Sequence, residues 1–367
     1  MAKTYRAAVI GSTGRGNYGH GIDTVWREVP GIEVVAVADD NRTGIPAAMK
    51  ATGAKESFND YRQMLDRVKP DIVGIGPRWL DQHHDMVLAC ADRGIHMYME
   101  KPFTRTLVEA DAMVAACERT HVKLAVAHQT RYSPLIEIVR QMIADGKIGR
   151  VLELRGRGKE DRRGGAEDLW ILGSHIMNLI RTFGGDVRWC FAQVRQNDHG
   201  VTKADVAEGN EGLGPLAGDQ VSAMYGLDQG VTAYFGTQRS AGGGKSRFGL
   251  QILGTAGVIE ITSGYHPTVN YLADPAWSPG RSGLAWQAVG TQGVGKPETA
   301  TDAGLHGGNI AAVKDLLAAI EADRQPLCSA YDARAAIEMI VAAFESQRVG
   351  GPVTLPLKTR VNPLTLL

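Results

Sequence analysis

The segment AAVIGSTGRG (residues 7–16) joins a run of four apolar residues to a glycine-rich loop. A loop of the form G-x-G-x-x-G lets the chain turn sharply after a strand and brings backbone N–H groups against a pyrophosphate, while the next helix N-terminus adds positive charge. The match is imperfect, and a glycine-rich surface turn is the alternative, but the position after a strand and before a candidate helix favours a dinucleotide site. The loop residues expected to bind the cofactor are Gly11, Thr13, Gly14, Arg15 and Gly16.

An acidic residue follows the second predicted strand. Asp39 lies 23 residues beyond Gly16, close to the spacing of roughly 20 residues expected for the acid that binds the adenosine ribose. A carboxylate at this point repels a 2′-phosphate, so the sequence favours NAD over NADP. A helix cap or a turn acid is the alternative for Asp39, and the nearby Arg42 keeps NADP open.

Short apolar runs alternate with helical patterns over the first 125 residues. This alternation predicts right-handed βαβ units and a parallel sheet covered on both faces. We therefore expect an N-terminal Rossmann dinucleotide-binding domain over residues 1–125. Its predicted strands are 7–10, 32–38, 71–76, 96–99 and 123–127, and its predicted helices are 81–93 and 107–120.

The pattern changes after about residue 150, where short strands are separated by glycine-containing turns. This indicates a mainly antiparallel, open sheet, so the fold class is α/β followed by α+β. The predicted strands are 151–157, 187–196, 220–225, 231–237, 248–253 and 258–262, and the predicted helices are 168–183, 309–322 and 330–347. Residues 273–308, rich in Gly and Pro, are too long for a simple connector and suggest a lid or an arm.

The composition is that of an ordinary globular protein, with 44% hydrophobic and 22% charged residues. The 40 basic residues balance 40 acidic ones, so the chain lacks the basic excess that is typical of nucleic-acid binding. The four cysteines form no CxxC pair, which argues against a metal site and a disulfide scaffold. No segment has the pattern of a signal peptide, and no apolar segment approaches the length of about 18 residues that a membrane span needs. We therefore expect a cytoplasmic protein without membrane partners.

A later strand ends in the turn Glu100-Lys101-Pro102. Together with the preceding segment from His84 to His96, this turn resembles the glucose–fructose oxidoreductase / inositol dehydrogenase / MocA (Gfo/Idh/MocA) family. Further similarity at residues 127–134 and 326–357 extends the resemblance over nearly the whole chain. The least similar segments are 198–218 and 273–308.

The resemblance implies that Lys101 lies beside the nicotinamide and the substrate hydroxyl, and that the peptide bond before Pro102 is often cis. A lysine there hydrogen-bonds the reacting hydroxyl or helps to move its proton. A surface lysine is the alternative. The further residues that we expect to bind the cofactor are Pro77, His84, Glu100, Lys101 and Gln129.

The family's third motif places an Asp and a His on one helix, and it is altered in this sequence. His175 matches the family's histidine, but Ile171 stands in place of the Asp and Asn178 where a further Asp often follows. We expect His175 to act as a catalytic base beside Lys101, with Asp168 on an adjoining helix face to assist it or to contact substrate. The alternative is a packed histidine and a capping aspartate.

The loop before this helix is highly charged, with Arg155 and Arg157 on one strand face. Converging cations would suit an anionic sugar, whereas a solvated, self-neutralising loop is the alternative. The residues expected to bind the substrate are Lys101, Arg131, Tyr132, Lys159, Arg163, Asp168, Trp170 and His175.

The leading interpretation is an NAD-dependent oxidoreductase acting on a secondary hydroxyl of a sugar, cyclitol or sugar derivative. An NAD-dependent glycoside hydrolase that oxidises its substrate only transiently is the first alternative, and a non-catalytic nucleotide sensor is the second. The resemblance also implies a homodimer or homotetramer formed through the open sheet, with residues 126–367 as the substrate-binding and oligomerisation domain. The C-terminal segment of that domain is expected to pack back on the first.

Overall fold

The computed structural model describes residues 4–242, 246–300 and 305–367 of the chain. The chain divides into two compact units. The first comprises Met1–Gln129, Asn210–Gly214 and Leu305–Ala335, and the second comprises Thr130–Gly209, Pro215–Gly304 and Ala336–Leu367. Residues 126–129 and 305–335, which the sequence assigns to the second domain, therefore group with the first.

The first unit contains a parallel six-stranded sheet in the order β3-β2-β1-β4-β5-β6. Its strands are β1 (Tyr5–Gly11), β2 (Ile32–Asp39), β3 (Glu56–Phe58), β4 (Ile72–Ile75), β5 (His96–Met99) and β6 (Leu124–Val126). Its helices are α1 (Ile45–Thr52), α2 (Tyr61–Val68), α3 (His83–Ala91) and α4 (Leu107–Thr120). The strand order reverses between β1 and β4, and this is where doubly wound folds bind ligands at the carboxyl ends of the strands. The predicted Rossmann architecture is confirmed.

The loop after β1 does not lead into an α-helix, and here the sequence-based expectation is wrong. Residues 12–31 are all described, and they form turns and one short 3-10 helix at Val25–Glu28. The reason is local, because Gly14, Gly16, Asn17, Gly19 and Gly21 all have left-handed backbone conformations with φ between 53° and 89°. A right-handed helix cannot pass through such residues. The site therefore lacks the helix N-terminus that the glycine pattern predicted.

The second unit is built on a large, mainly antiparallel sheet, as predicted. Its order is β18-β17-β16-β15-β14-β7-β13-β12-β8-β19, with β9 paired to β8, and β7 with β13 is a parallel pair. These strands are β7 (Val151–Arg157), β8 (Val187–Gln196), β9 (His199–Gly200), β12 (Gln220–Leu227), β13 (Thr232–Gln238), β14 (Gly249–Gly254), β15 (Val258–Thr262), β16 (Val269–Leu272), β17 (Gln287–Gly290), β18 (Gly293–Val294) and β19 (Val353–Thr354). A separate small hairpin is formed by β10 (Ala207–Gly209) and β11 (Gly214–Leu216).

The remaining helices are α5 (Pro134–Ala144), α6 (Ala166–Ile171), α7 (Gly173–Gly184), α8 (Pro279–Ser282), α9 (His306–Glu321) and α10 (Ala330–Val349). The single helix predicted at 168–183 is in fact two helices that break at Leu172, where Gly173, a poor helix former, begins the second. The segment 273–308, for which the sequence suggests a lid or an arm, contributes β17 and β18 to the edge of the sheet, and its residues 301–304 lie outside the described residues.

The core of each unit is apolar, and the four cysteines (Cys90, Cys117, Cys190 and Cys328) are buried and form no disulfide bond. Within the described residues, no helix combines the length and the apolar character needed to cross a membrane.

Candidate active site

A cavity of about 330 Å³ opens at the carboxyl ends of β1 and β2 in the first unit. Its walls combine apolar side chains with carboxylates and an amide, which is the usual character of a small-molecule site. Ile10 and Met86 supply apolar surface, whereas Asp39, Asp40 and Asn59 supply polar groups. The cavity therefore lies at the strand edge where the sequence predicted the adenosine half of a dinucleotide.

Asp39 is buried, and its carboxylate is fully occupied by the chain itself. Its Oδ1 accepts hydrogen bonds from the backbone N–H groups of Thr13 (3.0 Å) and Asn41 (2.9 Å). Its Oδ2 accepts from the hydroxyls of Thr13 (2.6 Å) and Tyr18 (2.7 Å). A carboxylate has about four acceptor sites, and all four are filled. Asp39 thus fixes the loop and has no acceptor left for a ribose, contrary to the sequence-based assignment.

The next residue, Asp40, is exposed and lines the same cavity. One of its oxygens accepts a hydrogen bond from the Ser12 hydroxyl at 2.8 Å, which orients the side chain while leaving acceptor sites open. Asp40 is therefore the carboxylate of this pair that can receive further hydroxyl groups.

The glycine-rich loop closes on itself as a small turn. Ser12 and Asn17 are joined by backbone hydrogen bonds in both directions, at 3.1 and 2.9 Å, and Gly14 lies at the open tip. The ring of Tyr18 packs over Gly11, and burial, reinforced by the hydrogen bond to Asp39, raises the pKa of Tyr18. These contacts hold the turn in one conformation.

Gly16 brings this turn against the loop that follows β4. A Cβ atom at residue 16 would lie 2.4 Å from the backbone nitrogen of Arg78 and 2.9 Å from that of Trp79, so only glycine permits the approach. Arg15 stacks on the Trp79 ring at 4.6 Å and pairs with Asp81 at 2.6 Å. The two loops that flank the reversal of strand order thus meet and carry two arginines, Arg15 and Arg78.

Lys101 lies at the carboxyl end of β5 and is only 4% exposed. The preceding Glu100 is fully buried, accepts the backbone N–H of Lys101 at 2.8 Å and contacts the His20 ring at 2.5 Å. Burial opposes ionisation of Glu100, but the hydrogen bonds from His20 and the charge of Lys101 outweigh it and lower the pKa of that carboxyl. The peptide bond between Lys101 and Pro102 is cis. The turn therefore presents a buried cation beside a buried carboxylate.

The buried histidine of helix α3 is His83, not His84. His83 is fully buried, and its ring contacts the carbonyl oxygens of Pro77 (2.7 Å) and Pro102 (3.0 Å), so it ties the loop after β4 to the lysine turn. His84 is partly exposed and pairs with Asp85 at 2.9 Å. The spacing to Met86 and Cys90 would have placed His83 on the buried face, so the signal was present in the sequence.

Gln129 belongs to a buried amide cluster that the sequence did not reveal. The Oδ1 atom of Asn309, on α9, accepts hydrogen bonds from Gln129 (3.0 Å) and from the Tyr98 hydroxyl (2.7 Å). The Asn309 amide donates to the His20 carbonyl at 2.8 Å. The Oε1 atom of Gln129 is buried and has no hydrogen-bond partner among the described residues, so it is available to a ligand amide.

His128 precedes this cluster and is 2% exposed. Burial, with the nearby charge of Lys101, lowers the pKa of His128 to about 4, although Asp332 and Glu100 act in the opposite direction. The imidazole is therefore neutral at physiological pH.

In the second unit, His175 lies in the first turn of α7 and is 8% exposed. Its ring packs edge-to-face against Phe248, with 6.3 Å between ring centroids. Asn178, one turn later, is also largely buried. Arg131 is partly exposed and Tyr132 is buried just after the start of this unit.

Asp168 and Trp170 are not available to a substrate, and these two assignments are corrected. The Asp168 carboxylate is enclosed, accepting from the backbone N–H groups of Lys159 (3.3 Å) and Glu160 (3.1 Å) and from the Thr237 hydroxyl (2.5 Å). Burial raises the pKa of Asp168, although these hydrogen bonds offset part of the rise. Trp170 is 2% exposed and belongs to the core.

The charged loop before α6 neutralises itself. Arg163 binds Asp161 through two hydrogen bonds, which lower the pKa of that carboxyl to about 2, and Lys159 lies 3.7 Å from the same carboxylate. Three neighbouring arginines also pair with carboxylates, namely Arg155 with Glu153, and Arg157 and Arg247 with Glu160. The expectation that these cations attract an anionic sugar therefore loses its support.

Two family models match the chain. Residues 5–128 match the oxidoreductase family with an NAD-binding Rossmann fold, and residues 136–260 match the Gfo/Idh/MocA C-terminal domain. The chain belongs to the Gfo/Idh/MocA family. The predicted resemblance is confirmed.

The chain is similar to several proteins that are named as sugar or cyclitol dehydrogenases. D-apiose dehydrogenase of Paraburkholderia graminis is 31% identical over 56% of this chain and 56% of its own length. The chain thus aligns with little more than half of that enzyme. The scyllo-inositol 2-dehydrogenase (NAD(+)) of Bacillus subtilis is 24% identical over 98% of both chains. A levoglucosan dehydrogenase in complex with NADH and L-sorbose shares the fold, with a TM-score of 0.78 at 20% identity over 97% of this chain and 100% of the other.

The described residues of the first unit fit the NAD of the Gfo/Idh/MocA family. The cavity beside Asp40 suits an adenosine, and the close approach at Gly16 leaves the backbone nitrogens of Arg78 and Trp79 beside the glycine turn. The partnerless Gln129 Oε1 provides a buried acceptor. These groups lie along the carboxyl edge of one sheet, the usual place for a dinucleotide.

Proposed function

We propose that this chain is an NAD-dependent dehydrogenase that oxidises a secondary hydroxyl of a sugar or cyclitol. The observation that carries the proposal is the buried Lys101 at the carboxyl end of β5, beside the ionised Glu100, in a domain of an NAD-binding family. Burial of an ammonium group costs free energy unless an ion pair or hydrogen bonds compensate for the lost hydration. Buried charged groups of this kind are concentrated at functional sites.

The proposed roles of the chain's own residues follow from their chemistry. Lys101 hydrogen-bonds the reacting hydroxyl and orients it, and His175, whose ring is held by Phe248, takes up the proton. The bound nicotinamide supplies the hydride acceptor. The negative charge of Asp40 favours the ribose hydroxyls of NAD over a 2′-phosphate. At position 171, where the family motif has an Asp, this chain has Ile171, so that position supplies no carboxylate to the proposed proton transfer.

Net oxidation is preferred to the glycoside hydrolase alternative because the relatives reported above are named dehydrogenases. Retention of both Lys101 and His175 also favours an enzyme over a nucleotide sensor.

The test is a spectrophotometric assay at 340 nm with NAD⁺ and a panel that includes apiose, levoglucosan, inositols and common aldoses. Stoichiometric NADH formation is expected with a neutral sugar or cyclitol. The Lys101→Met variant should lose at least about 100-fold in kcat/KM, the usual size of general acid–base effects. Lys50→Met, at an exposed lysine of the same domain, is the matched control and should retain full activity. Undiminished turnover in Lys101→Met would refute the proposal.

A further inference from the structure

The tip of the β10–β11 hairpin belongs to the first unit, although the residues before and after it belong to the second. The tip consists of residues 210–214 and lies within 198–218, one of the segments least similar to the family. Leu213 anchors it and is 2% exposed. Glu211 has a left-handed backbone with φ of 54°, which is uncommon for a residue other than glycine. Such a conformation persists only where surrounding contacts stabilise it, so we examine the contacts of Glu211 and its neighbours.

The contacts of this tip are with the loop after β4. The Glu211 carboxylate lies 3.8 Å from the Arg78 guanidinium, with 23% and 37% of the two side chains exposed. The backbone at Gly212 approaches Asp81 so closely that a Cβ there would lie 2.9 Å from its Oδ1. The tip thus touches the same loop that meets the glycine turn at Gly16.

Near the glycine turn, side chains are the source of the positive charge that would stabilise the phosphates of a dinucleotide. A dinucleotide carries two phosphate charges, and Rossmann sites normally stabilise them with a helix N-terminus, which residues 12–31 do not form. Arg15 and Arg78 are the cations carried by the two loops that meet at Gly16. Arg15 is tightly paired with Asp81 at 2.6 Å, whereas the pair of Arg78 with Glu211 is looser at 3.8 Å. The Nε atom of Arg78 is buried and has no hydrogen-bond partner among the described residues.

We propose that Arg78 binds the cofactor pyrophosphate and that Glu211 competes with the phosphate for it. Guanidinium is the side chain best suited to phosphate oxygens, and the unpartnered Nε supplies a donor beyond those that face Glu211. Binding of the dinucleotide then displaces Glu211 from Arg78, so the hairpin tip sets cofactor affinity and cofactor release. This inference rests on the proposed function, because it presumes that the first unit binds NAD.

The test is a titration of NADH fluorescence with the whole protein, comparing wild type with Glu211→Gln. Removal of the competing charge should tighten NADH binding about two- to fivefold, the worth of a partly exposed ion pair, with a larger effect at low salt. Glu208→Gln removes the same charge from an exposed position on the same hairpin and serves as the control, with no change expected. Equal effects of the two substitutions would overturn the proposal.

A double-mutant cycle separates competition from a general charge effect. Arg78→Gln should weaken NADH binding about tenfold, as expected for loss of a hydrogen bond to a charged group, and Glu211→Gln should have no effect in that background. ADP-ribose should follow the same order of affinities, whereas adenosine, which lacks the pyrophosphate, should bind all variants equally. A Glu211→Gln effect that persists without Arg78 would contradict the inference. Failure of the wild type to bind NADH would instead contradict the proposed function itself.

Discussion

Asp39 and Asp40 are adjacent in sequence, yet their surroundings give them different tasks. The four hydrogen bonds to Asp39 come from the glycine turn and from Asn41, so its carboxylate holds two loops together. Spacing along the chain singles out this residue and cannot show that its acceptors are filled, because three of the four donors belong to Thr13 and Tyr18, more than twenty residues away. Hydrogen-bond capacity, which only the structure reveals, therefore supports the proposal that Asp40, and not Asp39, binds the ribose.

This distinction gives a prediction about cofactor preference. Asp40→Ser should shift the ratio of kcat/KM for NAD⁺ over NADP⁺ about fivefold toward NADP⁺, because one repelling charge is removed. Asp39→Asn should instead lower the free energy of unfolding by about 1–3 kcal/mol. The NH₂ group of the new amide would face N–H and O–H groups that now donate to the carboxylate, so hydrogen bonds would be lost. Steady-state kinetics and urea unfolding of both variants provide the check. If Asp39→Asn instead changed the preference for NAD⁺ over NADP⁺ and left the stability unchanged, Asp39 would be the ribose-binding residue.

His128 gives a prediction about pH. Its pKa is about 4 in the folded protein and about 6.5 when unfolded, so the unfolded chain binds the proton first as pH falls. Stability is therefore fully present above about pH 6.5 and is lost toward pH 4, with about 2 kcal/mol lost by pH 5. His128→Asn should remove this part of the pH dependence in urea unfolding at pH 7.5 and 5.

The exposed His121 offers the matched control. Its backbone is left-handed, with φ of 56°, which asparagine tolerates, so His121→Asn should leave the pH dependence intact. A His128→Asn profile that coincides with that of the control would show that His128 titrates normally in the folded protein.

Among the elements, helices and strands with strong periodicity were predicted well and the segments between them were not. Helix α4 was predicted at its observed bounds, Leu107–Thr120, and each of the five strands predicted for the first sheet is present. The turn after β1 and the break at Leu172 were missed because left-handed residues and a single glycine interrupt otherwise helical patterns. Chain order alone also could not show that Asn309 reaches Gln129 and Tyr98.

The loop between β7 and α6 depends on one strand residue, and this yields a further prediction. The Thr237 hydroxyl donates to Asp168 and accepts the backbone N–H of Gly165 at 3.2 Å. Thr237→Val should therefore cost about 1–3 kcal/mol in free energy of unfolding, because two buried polar groups lose a partner. Thr232→Val, on the same strand but partly exposed, should be close to neutral. Calorimetry of the two variants compares them directly, and equal melting temperatures would show that Thr237 does not hold the loop.

For the whole molecule, the first unit is not complete in residues 1–129. The segment 305–335 adds buried contacts to it, including the Tyr98–Asn309 hydrogen bond and the backbone bond from Val126 to Cys328 at 2.9 Å. Ion pairs such as Lys123–Asp323 at 2.7 Å join the same two segments. Self-association through the open sheet, expected from the resemblance, stays a prediction.

The fragment 1–129 should consequently fail to unfold cooperatively and should bind a hydrophobic dye. Addition of the peptide 305–335 should restore a cooperative transition, measured by circular dichroism during urea titration. A peptide of the same composition in scrambled order is the control. A cooperative transition of the fragment alone, unaffected by the peptide, would show that the returning segment is dispensable.

The return of residues 305–335 to the first unit has a consequence for biosynthesis. The ribosome releases residue 129 long before it reaches residue 335, and at about 5–20 residues per second the interval is roughly 10–40 s. Throughout that time the nascent nucleotide-binding half exposes the surface of β5 and β6 that α9 later covers. A chaperone that binds apolar surface would meet its substrate here, and synonymous codons that slow translation within the second unit would prolong the exposure.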